Sequence, residues 1–73
     1  MPIINITTWP TPIEKKQKMI LEITRVVHET TGAPLDKITV CVQEIERDSW
    51  AEAGIFGSDP EFHKKSRRLN YSE

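Results

Sequence analysis

Seventy-three residues, 37% of them hydrophobic, with ten Lys and Arg against eleven Asp and Glu and a formal net charge of −1, allow one small domain. The near-balanced charge excludes a nucleic-acid binder of the basic kind, and no apolar run approaches the ~20 residues that would span a bilayer. A lone Cys41 makes no internal disulfide, no His or Cys spacing suggests a metal site, and no signal-peptide pattern opens the chain, so a reducing cytosol is expected.

Ile3 to Trp9 (IINITTW) is rich in β-branched residues and predicts a strand, broken by Pro10 and Pro12. Thr11-Pro12-Ile13-Glu14 predicts a helix start, with Thr11 accepting a free backbone N–H bond, Pro12 in the first helical position and Glu14 closing a capping box. The helix is expected over about residues 12–31, with Ile13, Met19, Ile20, Ile23, Val26 and Val27 on one apolar stripe and Gly32 as its stop. Ile38 to Ile45 predicts a second strand, on which Ile38, Val40 and Val42 alternate with Thr39, Cys41 and Gln43, and Cys41 is expected to be a buried thiol. Strand, helix and strand in ~45 residues make a βαβ unit with parallel strands and a right-handed crossover.

Beyond residue 45 the texture changes. Only Trp50, Ala51, Ala53, Ile55, Phe56, Phe62, Leu69 and Tyr71 are hydrophobic there. Ala53 to Gly57 suggests a short hairpin, Asp59-Pro60 a turn, and His63 to Arg68 is a basic run. So polar a tail is expected to be disordered or to be ordered by a neighbouring subunit. The expectation is an α+β chain forming a single domain over residues 1–73, with a β-α-β core and C-terminal hairpin over 2–57 and a polar tail over 58–73. A small chain buries only about 60% of its unfolded surface, and a two-stranded sheet leaves both edges and one face open. Dimerising would give a four-stranded sheet with helices on one face, and the other face invites further association.

The chemistry starts at Met-Pro. Removal of the initiator Met would make Pro2 the first residue and its nitrogen a secondary amine. An apolar wall and nearby cations disfavour the ammonium form, and a neutral amine is a general base. His28 and His63 read as surface or boundary histidines, and no Gly-rich phosphate loop or nucleophile triad is present.

The order Pro2, β-branched strand, capped helix of about twenty residues, Gly-Ala-Pro-Leu and second strand, followed by Trp50 and a hairpin at Gly54, resembles the 4-oxalocrotonate tautomerase family over about residues 2–57. The resemblance implies a cofactor-free isomerase, usually a hexamer built as a trimer of dimers, with a dimer or a trimer as the smaller alternatives. Its amino-terminal proline, here Pro2, carries a proton between the enol and keto forms of a 2-hydroxydienoate or arylenolpyruvate-like carboxylate. Trp50 aligns with the family's pocket aromatic. The two family arginines that hold carboxylates align with Pro12 and Thr39, so another cation must serve. The candidates are Arg67 and Arg68, then Arg47, then Lys15 or Lys16. Glu52, two residues after Trp50, resembles the water-activating glutamate of the trans-3-chloroacrylic acid dehalogenase branch. That gives an alternative reading as a hydratase, dehalogenase or decarboxylase with Pro2 as acid, beside a non-catalytic paralogue. The expected partners are other copies of the chain and a small carboxylate, with no nucleic acid, membrane, metal or cofactor.

Overall fold

A computed structural model describes residues 1–73. The first strand, β1, is Ile3–Thr8, the long helix α1 is Ile13–Thr31, and a 3₁₀ turn at Leu35–Lys37 leads into β2, Thr39–Glu44. The two strands are parallel, in register from Ile3 opposite Thr39 to Thr8 opposite Glu44. Their ladder continues at both ends, where Thr39 N–H donates to the Pro2 carbonyl (3.0 Å) and Ile45 N–H to the Thr8 carbonyl (2.8 Å). Ile4 and Ile6 pair with Val40 and Val42 on a half-buried face under α1, which lays Met19, Ile20, Ile23 and Val27 against it. Val26 lies about 120° round the helix from Ile20 at 3.6 residues per turn. It is 49% exposed, and Ile13 on the first turn is 53% exposed, so the apolar stripe is narrower than expected.

The two ends of α1 differ from each other. Gly32 closes it as expected, at φ 76°, with its N–H on the His28 carbonyl at 2.9 Å. His28 adds a second tie, its Nδ1–H donating to the Ala33 carbonyl at 2.7 Å. At the start, Pro12 is extended (ψ 141°) and precedes the helix instead of opening it, and no side chain caps the first turn. Thr11 points elsewhere. Its hydroxyl donates to the Trp9 carbonyl (3.0 Å) and its N–H to Glu44 Oε2 (2.8 Å), while Lys16 Nζ reaches Glu44 Oε1 at 3.2 Å. A charged carboxylate from the end of β2 is a stronger acceptor than a hydroxyl, so the helix start is tied to the sheet and not capped locally.

After a 3₁₀ turn at Arg47–Ser49, β3 (Ala51–Glu52) and β4 (Ile55–Phe56) form an antiparallel hairpin with Ala51 opposite Phe56 and Glu52 opposite Ile55. Its two-residue loop is Ala53-Gly54, both at positive φ (54° and 77°), the geometry that suits the twist of a hairpin. Within the single chain the tail folds against its own hairpin and does not stand disordered. Asp59 Oδ1 accepts the Glu61 N–H (2.8 Å), and the one-turn helix α2 (Phe62–Lys65) follows. Ser66, whose Oγ donates to the Phe62 carbonyl at 2.5 Å, is the only buried residue. The polar atoms that made the tail look incapable of folding are what hold it, by pairing with turn backbone.

No hydrophobic side chain is fully buried. The radius of gyration is 17.0 Å and the extents are 52 × 24 × 16 Å, against about 11 Å for a compact chain of this length. The second face of the sheet carries Ile3, Asn5, Thr7, Thr39, Cys41 and Gln43 bare. Cys41 is therefore exposed on the single chain, not buried as its strand position suggested, because nothing within the chain covers that face.

Candidate active site

Pro2 is half-buried at the head of β1, pinned beside Thr39 by the bond to its carbonyl. A proline has no N–H for the ladder and is tolerated at a strand's first position. Met1 ahead of it is 83% exposed.

Trp50 sits at the opposite end of β1. Its ring stacks on Trp9 (centroids 6.2 Å, planes 23° apart) and takes the edge of Phe62 at 5.3 Å and 79°. It also lies on Gly57, where a Cβ would fall 2.4 Å from Trp50 Cζ2. Arg47 lies over Trp9, 4.9 Å from its centroid, and Arg67 lies 6.0 Å from that of Phe62. Seven residues of strand at about 3.3 Å each separate Pro2 from Trp9 by about 23 Å. Pro2 and Trp50 are thus not brought together within one chain.

The remaining expected site residues are brought to one another. Arg67 pairs with Glu52, each side chain more than half exposed, and also donates to Ser66 Oγ (3.1 and 2.9 Å). Arg68 gives Nε and Nη2 to the Ala53 carbonyl (3.0 and 2.8 Å) and lies 4.9 Å from the Tyr71 centroid. Arg68 therefore holds the one non-glycine residue at positive φ. Lys16 is bound to Glu44, whose carboxyl is held below the ordinary carboxylate range by the Thr11 N–H first and Lys16 second. That network is structural and lies between β2 and α1.

Open clefts include one of about 320 Å³ around Ala53, Gly54, Arg68 and Tyr71 and one of about 630 Å³ around Ile55, Lys64, Arg67 and Arg68. Neither touches Pro2 or Trp50, so neither matches the expected pocket. No cluster of three His, Cys, Asp or Glu is placed to hold a metal. The sequence reading missed Trp9 and Phe62 as parts of the aromatic cluster. The one available signal was two tryptophans in a short chain, each at the junction of a strand and a turn.

Residues 2–56 match the family model described as "Tautomerase enzyme". The chain is 42% identical over 48 residues to 2-hydroxymuconate tautomerase of Bacillus subtilis, covering 66% of this chain and 77% of that protein. A crystal structure of a 4-oxalocrotonate tautomerase homologue superposes with a TM-score of 0.76 at 30% identity, covering 81% of this chain and 95% of the other. A heterohexameric 4-oxalocrotonate tautomerase from Chloroflexus aurantiacus shares the fold at TM-score 0.75 and 20% identity, covering 82% and 98%.

Proposed function

Because the chain belongs to the 4-oxalocrotonate tautomerase family and is an isomerase of the tautomerase type, we propose that Pro2, freed of Met1, is the base for enol–keto conversion of a small planar carboxylate. The observation that carries this reading is the placement of Pro2, fixed at the head of β1 by the Thr39 bond behind an exposed Met1. In its neutral form the nitrogen lone pair takes the proton of the 2-hydroxyl group. The π electrons shift along the chain of double bonds, and the ammonium returns the proton to carbon, so substrate and product are isomers and the amine is regenerated. Charge builds on the substrate oxygen during the transfer, and a cation nearby lowers the barrier. The name of the Bacillus subtilis relative favours a 2-hydroxydienoate, and an arylenolpyruvate has the same reacting atoms.

The site is shared between copies. An antiparallel pairing of two sheets places the head of one β1 beside the tail of the other, so Pro2 of one copy meets Trp9 and Trp50 of a second, and an apolar wall keeps the amine neutral. The open strand edges, the bare sheet face and the absence of a closed core support a homo-oligomer with a four-stranded sheet at its centre. A hexamer of three such dimers covers the second face, and the exposed Leu69 and Tyr71 give the tail a surface to set against a neighbour. The cytosol is the proposed location. No helix is long and apolar enough to cross a membrane.

Ketonisation of phenylenolpyruvate tests the reading. Native protein lacking Met1 is expected to exceed both Pro2→Ala and a Met1-retaining form by about 10²–10⁴-fold in kcat/KM. Equal rates would contradict it. The hydratase alternative, with Glu52 activating water, starts from a carboxylate already paired with Arg67. A water-addition product that disappears in Glu52→Gln would favour that alternative.

A further inference from the structure

Pro12 and Thr39 stand where the arginines of the resembled enzymes bind carboxylates, so the cation in this chain must come from elsewhere. Arg67 is engaged by Glu52 and Ser66, Arg68 by the Ala53 carbonyl, and Lys16 by Glu44. Arg47 differs from all three. It is exposed on the turn after β2, and its guanidinium rests on the face of Trp9 with the carbon 4.9 Å from the ring centroid. No carboxylate or carbonyl of the chain accepts from it, although Glu46 and Asp48 flank it in sequence. An indole face holds a guanidinium by cation–π attraction without consuming its N–H donors, which lie in the guanidinium plane and match a carboxylate two at a time. Trp9 is itself 48% exposed and stacked on Trp50, so aromatic surface and an unused planar fork stand side by side.

We propose that Arg47, seated on Trp9, is the carboxylate-binding residue of the active site, recognising planar conjugated carboxylates. This assignment rests on the tautomerase reading, in which the Trp9 end of one copy faces Pro2 of another. Flat, unsaturated acids gain both the fork and the aromatic face, whereas saturated acids or esters gain only one of them.

Binding of cis,cis-muconate to the intact protein, read by quenching of tryptophan fluorescence, tests the assignment without requiring turnover. Arg47→Ala is expected to weaken binding by about tenfold or more, and Arg47→Lys, which keeps the charge but loses the fork, by an intermediate factor. Dimethyl muconate is expected to bind wild type and Arg47→Ala alike. Should Arg47→Ala fail to fold, as judged by circular dichroism and assembly mass, Arg47→Lys and Arg47→Gln carry the comparison. An affinity within twofold of wild type in the folded variants overturns the assignment. So does a loss that follows Arg67→Ala instead, or no saturable binding by wild type at millimolar muconate. Pro2→Ala separates this outcome from the broader reading. It is expected to retain muconate affinity while losing ketonisation, and its full activity would remove the proline base while leaving Arg47 to be judged by binding alone.

Discussion

The β-α-β unit of residues 2–45 and the hairpin with its tail are built on different principles. In the first, order comes from periodic apolar faces. Ile4, Ile6, Val40 and Val42 meet the inner stripe of α1 and are still only half-buried, so the unit is specified but unfinished. In the second there is almost no periodicity, and order comes from one aromatic cluster around Trp50 and from side chains that bond turn backbone, such as Arg68 on Ala53 and Ser66 on Phe62. The first region leaves its core open on the single chain. The second is held by its own polar contacts and needs each of them. The regular frame fixes Pro2 and Trp9 at opposite ends of β1, and the irregular arm sets Trp50 and Arg47 against Trp9, some 23 Å from Pro2.

Substitutions can break this contrast in decreasing order of effect. Gly57→Ala puts a methyl group into the space of the Trp50 ring and should cost about 2–3 kcal/mol. The loss should be confined to the arm and be read as faster proteolysis within residues 58–73 and a red-shifted tryptophan emission, with the helical circular dichroism of α1 retained. Gly32→Ala meets no atom within 4 Å and pays only for the left-handed backbone, about 1 kcal/mol in denaturant unfolding, without any effect on the arm. The Glu44 network gives a pH signature for the frame. Its carboxyl is lowered in the folded chain, so the stabilisation is present above the unfolded carboxylate's range and is lost as pH falls through the lower folded value. Glu44→Gln should flatten that acid limb of the stability profile, lowering stability near neutrality and leaving it unchanged at low pH, where the wild-type carboxyl is protonated. Smallest is Glu52→Gln. The Arg67 pair is exposed, so thermal unfolding should register about 0.5 kcal/mol or less.

The frame was legible in the sequence because β-branched runs, a three- and four-residue apolar spacing and Gly32 each have one structural meaning. Its helix start was misread because Thr11 has two strong partners, and the choice between a local cap and Glu44 depends on where β2 ends, 33 residues away. The arm was legible only as a hairpin. That Ala53-Gly54 would turn followed from position. That Arg68 would secure Ala53, or that Phe62 would close on Trp50, depended on the tail folding back, for which the sequence carries no period. Pro2 could be singled out from its place in the chain and the family resemblance, whereas Arg47 and Trp9 become neighbours only once β1 and the turn after β2 are laid side by side.

The central claim is that the Pro2 nitrogen is neutral at physiological pH in the assembled protein. Titrating protein labelled with ¹⁵N at proline and lacking Met1, with the Pro2 nitrogen followed by NMR, measures this directly. A midpoint below neutral, restored towards that of an ordinary amino-terminal proline when the assembly is unfolded, is the expected result. A nitrogen that stays protonated well above neutral pH in the folded assembly would contradict the account.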